Sequence, residues 1–232
     1  MTFSLAGRCA RSGMFGCVVT TSSVAVGARC PYAAPGLGAV LTQHMTDPRL
    51  GPLGLEMLRL GYSAPQVLAG LVAVTPRSDW RQLGVIDAQG RTATFTGESN
   101  KPEKGDLCGQ DCFALANIVR SATVPAAMVA AFEARPQDHI ARRLLDALVA
   151  GHDAGSEFAP LIATALLVVD RYAFPHVDLR VDGDPDPIAS LERLWAAYEP
   201  LAGLYDQRAT DPDHVVRTHH TDTATPAERS DQ

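Results

Sequence analysis

Thr2 follows Met1 directly and opens a loosely alternating segment, "TFSLAGRC". Removing an initiator Met before so small a residue leaves Thr2 terminal, with a hydroxyl and an α-amine on one residue. An α-amine has an ordinary pKa of about 7.7–8.0, so part of it is a free base near neutral pH. A Thr hydroxyl beside its own terminal amine is an activated nucleophile: the oxygen attacks a carbonyl and the amine takes, then returns, the proton. A strand end would hold both groups rigidly. The plainer reading is that a β-branched residue simply begins a strand.

Other residues can serve such a centre. "TTSS" ends the second apolar run, and Thr21, Ser22 and Ser23 reach Thr2 if the first two strands form a hairpin. There they orient the amine or donate to an oxyanion; otherwise they form a polar strand end with hydroxyl turns. Side-chain amides interrupt three apolar runs: Gln43 in "GAVLTQ", Gln82 in "WRQLGV" and Asn117 in "FALANIV". A buried amide must find partners, so each is a structural anchor or a contact to substrate or oxyanion. Arg29 and Arg81 are the candidates for gripping a carboxylate. Gln43 and Gln82 join them as substrate contacts.

Charge and composition narrow the classes. The chain has 232 residues, 46% of them hydrophobic, and a net charge of −6 without a basic cluster, so no nucleic-acid partner is expected. No apolar run reaches the roughly 18–20 residues of a membrane span, and Gly7, Arg8, Arg11 and Gly13 break up any signal-like start. A cytoplasmic protein is expected, without a membrane partner. Five cysteines make a poor disulfide framework and read as small buried hydrophobes. The Cys108–Cys112 spacing does not suit zinc, "DGDPDPIAS" lacks the Gly and Glu of a calcium loop, and no phosphate-cradling loop occurs. No metal or cofactor is expected. His219 and His220 fall on a polar tail.

The elements that must position these residues arrive in blocks. Thr2–Cys9 and Met14–Thr21 read as strands joined by a Gly13 turn, with a third short strand over Val24–Cys30 before a break at Pro31, Pro35 and Gly36. Gly36–Gln43 is a further strand. Helical spacing follows at Leu53–Leu60, then in a helix capped by Ser63 with Pro65 in its first turn. A hairpin turns at Asp87–Gly90, Asn100–Gln110 reads as a loop, and Cys112–Val119 as a strand. Helices are expected over Pro125–Arg135 and Asp138–Ala150, strands over Thr164–Val169 and Val177–Val181, and a last helix over Pro187–Tyr198. Blocked strands and helices predict an α+β fold, a four-layer αββα sandwich of two antiparallel sheets with a helical pair on each outer face. The domain is expected to span 1–205, with a polar, disordered tail over 206–232.

The blocks "TFSLAGR", "AVGARCP", "GLGAVLTQ", "TDPRLGPLGLEMLRLG", "RQLGVIDAQGRTATFTG" and "DLRVDGDPDPIASLERL" resemble, in order, the DUF1028 family of uncharacterised bacterial proteins. The resemblance covers Thr2 to about Tyr198. It implies the αββα fold of the N-terminal nucleophile (Ntn) hydrolases and hydrolysis of an amide bond by a terminal nucleophile, here Thr2. A small amide, an N-acyl or an N-carbamoyl amino acid is the substrate class it implies. Ala116 stands where the family pattern places Gly before the Asn, which loosens the match at Asn117. The rival expectation is a non-catalytic binding or assembly protein on the same fold, able to form homo-oligomers.

Overall fold

The computed structural model describes residues 1–215. Ten strands and five helices form two antiparallel sheets between helical layers. The larger sheet contains β1 (Thr2–Arg8), β2 (Phe15–Thr21), β7 (Lys104–Gly109), β8 (Cys112–Asn117), β9 (Ala163–Val169) and β10 (Val177–Asp182), ordered β10-β9-β2-β1-β8-β7. The smaller contains β3 (Pro31–Ala34), β4 (Gly38–His44), β5 (Arg81–Asp87) and β6 (Thr92–Thr96), in that order.

Three apolar layers hold the stack together. Between the sheets lie Ala6, Cys17, Val19, Ala39, Leu41, Ile86, Phe113 and Leu115. Gly84 makes room there for the Phe113 ring, since a Cβ at Gly84 would lie 2.0 Å from it. Helices α1 (Leu50–Arg59) and α2 (Ala64–Val74) cover the outer face of the small sheet through Leu58, Val67 and Leu71 against Val40, Leu83 and Val85. Ser63 caps α2, its backbone N–H donating to Gln66 Oε1 at 2.9 Å. Helices α3 (Val124–Ala134), α4 (Ile140–Asp153) and α5 (Pro187–Thr210) cover the large sheet around Phe3, Leu5, Met128, Phe132, Leu144 and Trp195. The architecture is the expected α+β four-layer sandwich, with three helices rather than two on the large sheet.

Several elements differ from the sequence expectation. Val24–Cys30 is no strand: Ala25 is left-handed at φ 60°, and a short 3-10 turn follows at Val26–Ala28. The strand lies just beyond, at Pro31–Ala34, inside the expected break. β3 is an edge strand, where Pro31 as first residue costs no ladder bond. The expected loop 100–110 contains β7, a partly exposed edge strand without alternation that Thr94 and Thr96 tie across through Asp106. Helix α5 runs on to Thr210, past position 205, and a 3-10 turn follows at Pro212–His214. His219 and His220 lie outside the described residues.

Cys9, Cys17, Cys30 and Cys112 are buried thiols and Cys108 is exposed. No helix among the described residues is long and apolar enough to cross a membrane.

Candidate functional site

Strand register places the candidates in two facing rows. β1 and β2 pair antiparallel with Phe3 opposite Thr20, so one step further Thr2 meets Thr21; their hydroxyl oxygens are 3.3 Å apart. Thr2 pairs with Asn117 on its other side, and Asn117 with Lys104. Directly opposed residues in a sheet point to the same face. Thr21, Thr2, Asn117 and Lys104 thus form one row across β2, β1, β8 and β7, on the face toward the small sheet. In that sheet Gln43 pairs with Gln82 and Gln82 with Thr96, giving a second row that faces the first.

Hydrogen bonds join the rows. Ser4 Oγ donates to Gln43 Oε1 at 2.6 Å, and Gln43 Nε2 donates to Gln82 Oε1 at 2.7 Å. Asn117 Nδ2 donates to the same Gln82 oxygen at 3.0 Å. Gln82 Nε2 in turn reaches Thr96 Oγ1 at 2.9 Å and the Ala116 carbonyl at 3.0 Å. Ser4, Gln82 and Asn117 are wholly buried, and Gln43 nearly so. Gln43 and Asn117 are each followed by a left-handed residue, His44 at φ 68° and Ile118 at φ 54°. For β-branched Ile118 this is strained backbone, of a kind that collects at functional sites.

Met1 occupies the open end. Its carbonyl accepts from both Thr2 Oγ1 and Thr21 Oγ1. Beside it lies Glu157, which the sequence reading passed over. Glu157 is 2% exposed; its Oε2 accepts from the Ser22 N–H at 3.0 Å, while Oε1 has no partner among the described residues. Burial pushes its carboxyl up to about 7, against the opposing pull of the positive N-terminus. Burial likewise lowers the terminal amine below its usual range, while Glu157 pulls it back up. Asn117 Oδ1 is a second buried acceptor without a partner.

The raised Glu157 pKa has a consequence for stability. The folded chain keeps this proton up to about pH 7, whereas the unfolded chain loses it near its ordinary 4.5. Folding stability contributed by Glu157 therefore falls as pH rises through that window. Glu157→Gln removes the dependence, so its stability relative to wild type is expected to improve by up to about 3 kcal/mol between pH 4.5 and 7. Urea unfolding at pH 5 and pH 8 measures this, and an equal difference at both pH values would refute it.

The remaining candidates divide. Thr2, Thr21, Asn117, Gln43 and Gln82 come together. Ser22 is half-buried and engages Glu157 through its backbone; Ser23 is exposed beside it. Arg81 stands at the mouth, donating to the Met45 carbonyl with its guanidinium 3.9 Å from Asp47. Arg29 spends its guanidinium on the carbonyls of Val24 and Ala25, in its own turn. A shallow pocket of about 390 Å³, lined by Met45, Arg77, Trp80 and Arg81, opens at this end, with His44 stacked on Trp80. Among the described residues no group of three or more His, Cys, Asp or Glu is placed to hold a metal.

The model of a family of unknown function, DUF1028, matches residues 2–191. The crystal structure of protein SPO2555 from Silicibacter pomeroyi, a DUF1028 protein, is 30% identical, with a TM-score of 0.79 over 85% of this chain and 88% of that one. Anbu (ancestral beta-subunit) from Yersinia bercovieri is 10% identical, with a TM-score of 0.38 over 88% of this chain and 97% of its own. Anbu from Hyphomicrobium sp. strain MC1 is 10% identical, with a TM-score of 0.37 over 89% and 98%. Likeness at that level carries nothing about function. Among curated proteins, none matches. Matched over most of its length by the family model and by a solved member, this chain belongs to the DUF1028 family.

Proposed function

We propose that the protein hydrolyses a small amide, with Thr2, freed by removal of Met1, as nucleophile and its own amine as base. The observation that carries the reading is the row Thr21–Thr2–Asn117 facing the amides of Gln43 and Gln82. When Met1 leaves, both Thr hydroxyls lose their carbonyl acceptor, and an amine appears on the strand residue paired with Asn117, whose Oδ1 is a buried acceptor without a partner among the described residues. An amine with its several donors suits that surrounding.

The chemistry runs in two halves. Thr2 Oγ1 attacks the substrate carbonyl carbon, its proton passes to the Thr2 amine, and the carbonyl oxygen becomes an oxyanion. The ammonium then protonates the leaving nitrogen as the C–N bond breaks, leaving an acyl ester on Thr2. Water, deprotonated by the amine, attacks that ester and releases the acid. Asn117 holds its Nδ2 on Gln82, which leaves its free oxygen to orient the amine, and Ser22 and Ser23, next along the chain from Thr21, are the residues assigned to the oxyanion. Lys101 bears on the terminus and Arg81 stands at the mouth, which supports a substrate with a carboxylate, such as an N-acyl or N-carbamoyl amino acid.

Intact mass and N-terminal sequencing of the purified protein, followed by a screen of such amides, test the reading. Loss of one Met with release of free amino acid is the expected result. Met1 retained throughout, or no amide cleaved by Thr2-terminal protein, turns the same cleft into a ligand-binding site without catalysis.

A further inference from the structure

We infer that Glu157 is a positioning residue for the Thr2 amine, holding it beside the Thr2 hydroxyl so that the two act as one nucleophile–base pair. The inference rests on the proposed hydrolase reading and extends it to a residue on a different part of the chain.

The local sequence inverts the usual order of burial. In "GSEFAP" the acid Glu157 is 2% exposed while Phe158 beside it is 56% exposed. Burying an acid and exposing its aromatic neighbour costs stability twice over, and such departures gather at functional sites. The backbone is built for it. Gly155 (φ 150°) and Ser156 (φ 52°) turn the chain with positive φ just before Glu157. Glu157 then bridges to Val119, the Arg120 N–H donates to the Ser156 carbonyl at 3.0 Å, and Arg120 Nε donates to the Glu157 carbonyl at 2.9 Å. These contacts bolt the loop to the exit of β8, two residues past Asn117.

The side chain is aimed with equal care. Oε2 is fixed on the Ser22 N–H, and Ser22 follows Thr21, whose hydroxyl touches the Met1 carbonyl. Oε1 remains buried and without a partner among the described residues. The Thr2 amine freed by removal of Met1 is the donor that the inference assigns to it. Charged groups that bear on the terminus are Glu157, which favours the ammonium, and Lys101, which opposes it; the terminus and Lys104 in turn bear on His44, whose ring is stacked on Trp80. Of these, Glu157 is the acid.

The test reads the amine rather than turnover. Sodium periodate cleaves the Cα–Cβ bond of a terminal Thr whose amine is free and unprotonated. It releases acetaldehyde and ammonia, is itself reduced to iodate, and leaves a glyoxylyl end visible by intact mass. The rate is followed from pH 5 to 9 for Thr2-terminal wild type and for Glu157→Gln. Loss of the carboxylate is expected to move the half-maximal pH down by roughly half a pH unit or more. Superimposed profiles from two folded proteins overturn the inference, because a purely structural Glu157 would alter unfolding and leave the amine alone. Should Glu157→Gln not fold, carbon NMR of the wild-type Glu157 carboxyl decides. A titration shared with the Thr2 amine supports the inference, and an independent one in the ordinary carboxylate range overturns it. A protein whose mass retains Met1 defeats the hydrolase reading itself, an outcome visible before any periodate is added.

Discussion

Thr2→Ala is expected to lower amide turnover by at least about a thousandfold, since removing a covalent nucleophile commonly costs several orders of magnitude. Ala is as small as Thr, so Met1 should still be removed and the terminal amine kept. The variant therefore isolates the hydroxyl from the base. Thr2 is buried, but its hydroxyl meets only the Met1 carbonyl and Thr21, so the fold should lose no more than about 1–2 kcal/mol. Thr2→Ser keeps the oxygen and should retain activity within about a hundredfold, the loss reflecting a looser rotamer without the β-methyl. Release of amino acid from a panel of N-acyl and N-carbamoyl amino acids, beside a thermal melt of each variant, is the measurement. Wild-type rates from a well-folded Thr2→Ala protein would place the chemistry elsewhere.

What the sequence made legible depended on how local the signal was. The β1–β2 hairpin brings Thr21 to Thr2 because a loosely alternating segment and a run rich in β-branched residues flank a Gly13 turn (φ 80°). Ser63 with Pro65 announced the start of α2, and the structure adds Gln66 as the reciprocal partner of the cap. Edge strands were harder. β7, "KGDLCG", is half exposed, and its place depends on β8 and on Asp106 reaching Thr94 and Thr96, none of which its own residues reveal. Val24–Cys30 failed the other way: β-branched residues suggested a strand where a left-handed Ala25 begins a turn.

The site was legible as residue types and illegible as geometry. Gln43, Gln82 and Asn117 stood out as amides within apolar runs, yet only the fold shows that Gln43 and Asn117 both converge on one Gln82 oxygen. Arg29 was a chemically sensible carboxylate ligand that its own turn engages instead. Glu157 carried almost no signal. An acid in a loop reads as solvated surface, and its approach to the terminus closes a contact from Ser22 across most of the chain. The Gly155 before it was the one hint of unusual backbone.

Gln82→Met should be the most damaging single change to the framework of this site. The substitution keeps length and approximate volume while removing every polar contact. Gln43 Nε2 and Asn117 Nδ2 lose their shared acceptor and the Ala116 carbonyl loses a donor, all three in buried bonds, while half-buried Thr96 Oγ1 also loses a donor. Each buried group left unpaired costs about 1–3 kcal/mol, so after partial relaxation a loss of about 3–5 kcal/mol is expected. That is a large share of the roughly 5–15 kcal/mol that holds a domain folded. Urea unfolding measures it, and a loss below about 1 kcal/mol would show that the amides do not act as a unit. Adding Asn117→Ala to Gln82→Met should cost less than the two separate losses summed, because the second change removes a donor the first has already orphaned. Asn117→Ala alone spares the bond between Gln43 and Gln82, so it should cost less stability while loosening the Thr2 amine. The two variants thereby separate what the amide network does for the fold from what it does for the terminus.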